Sequence, residues 1–167
     1  MFEWLRNLLF GKKREKEGRC EMGDVRTDMA QQTVQTAPVT MYAKAEKDGD
    51  GVKWSLGESN PPAPGKAIIR VPLGESRRIM IHLVATQGLD IKFDTSDPIW
   101  AHEGKTCPPP QGISTGGQLE LVNCTDRLLT LSDTAERDST IMYQMNFIGA
   151  EPFDPEIRNG SGGLADR

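Results

Sequence analysis

The chain is poor in the residues that most often carry chemistry. Its 167 residues include two histidines, three cysteines and few aromatics: three Trp, two Tyr and five Phe. No run approaches the ~18 consecutive apolar residues of a membrane-spanning helix. The formal net charge is −4, and acidic residues outnumber basic ones across residues 38–149. With its aromatics scattered, that segment lacks the interleaved basic and aromatic strands of a nucleic-acid binder. An odd number of cysteines (Cys20, Cys107 and Cys124) cannot pair completely within one chain. The apolar start is broken by Glu3, Arg6 and Asn7, and its basic residues follow it, the reverse of a cleaved secretory signal. The expectation is a cytoplasmic protein with reduced thiols.

The same scarcity weighs against most catalytic and metal sites. A blue-copper set needs two His and one Cys with an axial Met, but no His follows Cys107 or Cys124, and Met142 and Met145 follow Cys124 only at a distance. The stretch from His102 to Cys107 offers two or three zinc ligands where a structural site uses four. Gly112 to Gly117 lacks the Lys and following helix of a phosphate loop. Asp48-Gly49-Asp50-Gly51 matches half of a calcium loop, but neither Glu46 nor Glu58 falls at its closing position. A hairpin turn accounts for the same four residues. There is no Gly-x-Ser-x-Gly elbow. No cofactor, metal or catalytic residue is expected from these patterns.

What the chain has is strand periodicity. Val39–Glu46 reads as a strand ending in that hairpin signal. Val52, Trp54 and Leu56 alternate with Lys53 and Ser55. Ala67–Leu73 reads as a strand, as does Arg77–Thr86, with Ile79, Ile81, Leu83 and Ala85 on one face and Met80, His82 and Val84 on the other. Leu89, Ile91 and Phe93 form the cleanest alternation. Residues 97–117, rich in Pro and Gly, read as one long loop with at most a short strand near Trp100; a loop of that length is uncommon without a function. Gln118–Asn123, Arg127–Ser132 and Thr140–Ile148 are further strands, and 149–167 is a tail. About eight strands at ~8–12-residue spacing, with no helical pattern between them, predict an all-β fold, an antiparallel Ig-like β-sandwich, with an up-and-down barrel as the alternative.

The charge is unevenly spread. Arg6, Lys12, Lys13, Arg14, Lys16 and Arg19 face only Glu3, Glu15 and Glu17 in the first twenty residues, so the remainder is the more acidic part. At ~100° per residue, Phe2, Trp4, Leu5, Leu8 and Leu9 share a face of a short amphipathic helix over 1–11. Lys12, Lys13 and Arg14 follow it, a pattern suited to a membrane surface or a partner's groove. Residues 12–37 are polar and read as a linker, 38–159 as the sandwich domain and 160–167 as a flexible tail.

The closing residues Glu151-Pro152-Phe153-Asp154-Pro155-Glu156-Ile157-Arg158-Asn159 follow a strand. This arrangement, with Trp54-Ser55-Leu56-Gly57 upstream, resembles the DP-EP family of small bacterial β-sandwich proteins over roughly residues 38–159. The resemblance implies the sandwich and carries no activity with it. The residues give the motif a structural account: Asp154-Pro155 fixes an extended turn and Ile157 fills the space between sheets.

The expected function is therefore a non-enzymatic interaction module, tethered to the inner membrane face or to a protein partner through Phe2, Trp4, Leu5, Leu8, Leu9, Lys12, Lys13 and Arg14. One alternative is a small-ligand or carbohydrate site built from Asp97, Trp100, His102 and Glu103, with Trp54 nearby. The other is acid/base chemistry by His102, Asp97 and Glu103.

Overall fold

The structure is a computed structural model that describes residues 36–85 and 88–160. The expected helix over 1–11, the linker up to residue 35 and residues 161–167 lie outside the described residues. Among the described residues every regular element is a strand. In chain order these are β1 (Val39–Asp48), β2 (Gly51–Gly57), β3 (Ile69–Val71), β4 (Arg77–Ala85), β5 (Lys92–Phe93), β6 (Ile99–Glu103), β7 (Ile113–Ser114), β8 (Leu119–Cys124), β9 (Leu128–Asp133), β10 (Ser139–Met145), β11 (Phe147–Ile148) and β12 (Glu156–Asn159).

The alternation of apolar residues decides which face each strand buries. On β1 Met41, Ala43 and Ala45 point inward, and on β4 Ile79, Ile81 and Leu83 do the same. With Leu129 and Leu131 of β9 they make the inner face of a five-stranded sheet ordered β2-β1-β4-β9-β8. The facing sheet, β3-β12-β10-β6-β7, contributes Ile69, Val71, Ile157, Ile141, Tyr143, Ile99 and Ala101 to the same apolar core. Each fully buried Ile or Leu here stabilises the fold by about 1.5–3 kcal/mol. Tyr143 is wholly enclosed, and burial alone pushes its phenol far up. At one end of the core Trp54 stacks on Phe147 at 4.2 Å and on Phe153 at 5.5 Å.

Several expectations need correction. The sheets are mixed, not antiparallel: β1–β4, β3–β12 and β6–β7 are parallel pairs. The 97–117 loop is broken by β6, whose Ile99 and Ala101 face the core while Trp100 and His102 face out. This is the short strand expected near Trp100, and β7 interrupts the stretch again at Ile113–Ser114. The strand expected over Thr140–Ile148 divides at Asn146: β10 stays in the second sheet and β11 leaves to pair with β5. The supposed tail supplies β12, bonded on both sides, with Ile157 inside. The strong alternation of Leu89, Ile91 and Phe93 does bury Ile91 and Phe93, but only Lys92–Phe93 finds a partner strand.

The outer edge of β8 is protected. The Thr115 Oγ1 accepts from the Leu119 N–H at 3.1 Å and donates to the Leu119 carbonyl at 3.3 Å. A bulge between Leu121 and Asn123 then breaks the ladder. Together they blunt an edge that carries the exposed Leu121 and Val122.

Two glycines with the same φ of +89° separate backbone strain from close packing. A Cβ at Gly112 would meet nothing within 4 Å, whereas one at Gly149 would lie 2.4 Å from the Asp90 carbonyl oxygen. Gly112→Ala is expected to destabilise by about 1–2 kcal/mol, the strain alone. Gly149→Ala should lose about 3 kcal/mol or more, because backbone cannot swing aside. Urea midpoints of the two variants check this; equal losses would refute the packing role of Gly149.

Candidate functional site

Strand alternation gathers the site on the outer face of the second sheet. In one row across it lie Glu156, Met142, His102 and Ser114, and in the next rows Arg158 with Thr140 and Trp100 with Gln144. Their neighbours along each strand, Ile157, Ile141, Tyr143 and Ala101, are in the core, so this face is fixed by packing from beneath. A groove of about 580 Å³ opens beside the row, lined chiefly by Lys105, Asp138, Thr140, Met142, Glu156 and Arg158.

Three of the four residues singled out from sequence come together here. Trp100 and His102, two residues apart, are half-buried on this face. The Trp100 Nε1–H donates to Asp97 Oδ2 at 2.8 Å, and the Gln111 amide approaches the same oxygen at 3.4 Å. The Asp97 carbonyl accepts from Asn146 Nδ2 at 2.8 Å, so the carboxylate that orients the indole is itself tied to the end of β10. Glu103 is not part of this group. One residue after His102 along the strand, it receives the Arg137 guanidinium through Nε at 3.1 Å and through Nη2. That bond holds its carboxyl below the usual glutamate range, with the Arg137 and His102 charges acting in the same direction. Trp54 belongs to the other sheet, in the aromatic cluster, and is not near Trp100 in the rows of this face.

His102 Nδ1 is buried and makes no hydrogen bond. A general base needs an orienting partner on its second nitrogen, and here Asp97 is engaged by the indole and Glu103 by Arg137. Among the described residues no group of three His, Cys, Asp or Glu is placed to hold a metal ion. The Cys107 thiol, which the His102–Cys107 stretch had offered as a ligand, sits 4.0 Å from Asp154 Oδ2.

Sequence reasoning missed Thr140, Met142 and Gln144, and also Glu156 and Arg158. The first three were legible as alternate residues of an expected strand. The other two depended on seeing a strand in what read as a tail. A second hollow of about 610 Å³ lies on the first sheet, walled by Thr36, Ala37, Pro38, Arg78, Met80 and Ser132, with no aromatic wall.

Cys107 is exposed and Cys124 half-buried, and neither is in a disulfide. Burial, reinforced by Asp126 and Asp94, pushes the Cys124 thiol up to about 11. In a Cys20→Ser background, Ellman's reagent at pH 8 should modify Cys107 rapidly and Cys124 only on unfolding; two thiols reacting at one rate in the native protein would contradict this. No family model matches the chain, and no curated protein matches it.

Proposed function

We propose that the chain is a non-catalytic binding module on an Ig-like β-sandwich, with the outer face of its second sheet as the recognition surface. The observation that carries this is the Trp100 indole, oriented by Asp97, on the same face as His102 and Met142, with an open polar groove beside Met142. An aromatic ring held by a side-chain hydrogen bond gives a ligand a rigid stacking plane at little entropic cost. The carboxylates that acid/base catalysis would use are instead engaged in positioning, which favours binding. Glu156 and Arg158 are already paired with each other through Arg158 Nε, which favours a ligand of low net charge carrying hydroxyls, a carbohydrate above all. The amphipathic start supplies a tether to an anionic membrane surface on the cytoplasmic side.

Neutral oligosaccharides such as cellohexaose, titrated into the full chain, are expected to shift the tryptophan emission and the amide resonances of β6 and β10. Trp100→Ala should weaken that binding about tenfold or more with the fold intact. Binding that survives Trp100→Ala unchanged, or shifts confined to the first sheet, would overturn the assignment of the face. For the tether, the full chain should co-sediment with vesicles of 1:3 phosphatidylglycerol to phosphatidylethanolamine, and a Trp4→Glu/Leu8→Glu variant should not. Equal sedimentation would remove the membrane role.

A further inference from the structure

The sandwich contains a buried polar contact whose two side chains are each only half satisfied. Asp133, the last residue of β9, and Asn159, the last of β12, are 0% and 2% exposed. Asn159 Nδ2 donates to Asp133 Oδ1 at 3.0 Å, and the Ala135 N–H donates to the same oxygen at 2.9 Å. The remaining atoms, Asp133 Oδ2 and Asn159 Oδ1, are buried and without a partner. If Asp133 were ionised, both would be acceptors, each buried with no donor to meet it. Burying an acceptor unsatisfied costs about 1–3 kcal/mol, and more when it is charged.

We propose that Asp133 is held as the neutral acid and pairs head to head with the Asn159 amide, Nδ2–H to Oδ1 and Oδ2–H to Oδ1, so that one proton satisfies both orphaned atoms and latches β9 of the first sheet to β12 of the second.

The surroundings agree. Among the described residues, the hydrogen bonds and ion pairs seen at the carboxyl come from Asn159 and the Ala135 N–H, not from a cation. Arg77, its cross-strand partner on β4, directs its guanidinium to Glu75 and the Ala37 carbonyl. Leu119 on β8 and the adjacent Gln118 are uncharged. On β12 the neighbouring Arg158 alternates to the outer face and meets Glu156. In the following turn Glu136 and Asp138 are exposed, and Arg137 is held by Glu103. Burial pushes the Asp133 carboxyl above its ordinary range, and the two N–H bonds to Oδ1 offset that only in part.

The latch has a pH sense opposite to that of an ion-paired carboxylate. The folded chain binds the proton more tightly than the unfolded chain. The contribution is therefore whole below the ~3.9 of an unfolded aspartate, falls as pH rises from there through the raised native value, and is absent above it. Because Asn159 also borders the groove of the second sheet, opening the latch would loosen one wall of the proposed recognition face. That consequence rests on the binding reading, while the latch itself does not.

The carboxyl 13C resonance of Asp133 in the full chain, followed by NMR against pH, tests it directly. A midpoint clearly above ~3.9 is expected; a midpoint at or below that value would overturn the proposal and point to an ionised carboxylate bridged by water to Thr134, whose Oγ1 is also buried without a partner. Asp133→Asn places an amide donor where the acid proton stands. It should match the native chain's urea midpoint near pH 4, exceed it near pH 9, and leave the variant without this part of the pH dependence. A constant difference between the two across that range would also overturn it. Neither measurement involves a ligand, so failure of the binding reading leaves both outcomes readable.

Discussion

The two sheets are joined at one end by a contact that is polar, buried and reached from both sides: the Asn159 amide on the Asp133 carboxyl at 3.0 Å. Apolar packing sets how tightly the sheets press together but tolerates sliding, because dispersion and burial are only weakly directional. A hydrogen bond enclosed on every side permits one alignment, since any slip leaves its donor without an acceptor. Around it the chain accepts local strain. Ala135 holds a φ of +44° while its N–H is bound by Asp133, and its carbonyl accepts from the Gly74 N–H at 2.9 Å. Gly160 N donates to the Val71 carbonyl at 3.0 Å, fastening the end of β12 beside β3.

With that end fixed, the mixed topology follows a simple division of labour. The long strands β1 and β4 run side by side in parallel, seven residues in register, at the centre of the first sheet. In the second sheet the central pairings of β10 with β6 and with β12 are antiparallel, and the short strands β3 and β7 close its edges in parallel. Short parallel edges offer few unpaired groups to another chain, and Thr115 and the β8 bulge limit one edge of the first sheet.

Much of this was legible from local pattern. The inward sets Val52–Trp54–Leu56 and Ile79–Ile81–Leu83 were readable because period-two alternation is a local property. The hairpin at Asp48–Gly51 was readable because its turn chemistry is local too. Parallel pairing was not readable, because it depends on which distant strand arrives beside which. The short strand near Trp100 was readable as β6, but its faces were not, because its outward residues are Trp and His, so polarity did not alternate even though direction did. That Ile157 sits inside was readable from the motif's own residues, but the strand that carries it was not, since four residues flanked by Pro and Gly carry too little periodicity. Asp97 and Trp100 were legible as members of one candidate site, though not as hydrogen-bond partners. The diversion of Glu103 to Arg137 was not, because Arg137 is 34 residues away.

Side chains that are already held in place cost less to bind with than mobile ones. On the second sheet's outer face the indole of Trp100 is fixed by Asp97 and Arg158 is fixed by Glu156. Each of these contacts is short in sequence, two or three residues, so each survives small adjustments of the sheets around it. The strands beneath are locked by Ile141, Tyr143 and Ile157, all at 0% exposure. A surface in which the local bonds orient the side chains and the core orients the strands is preorganised at both levels, and that favours recognition by this face over the first sheet's, whose Tyr42 and His82 are stacked on one another at 5.5 Å.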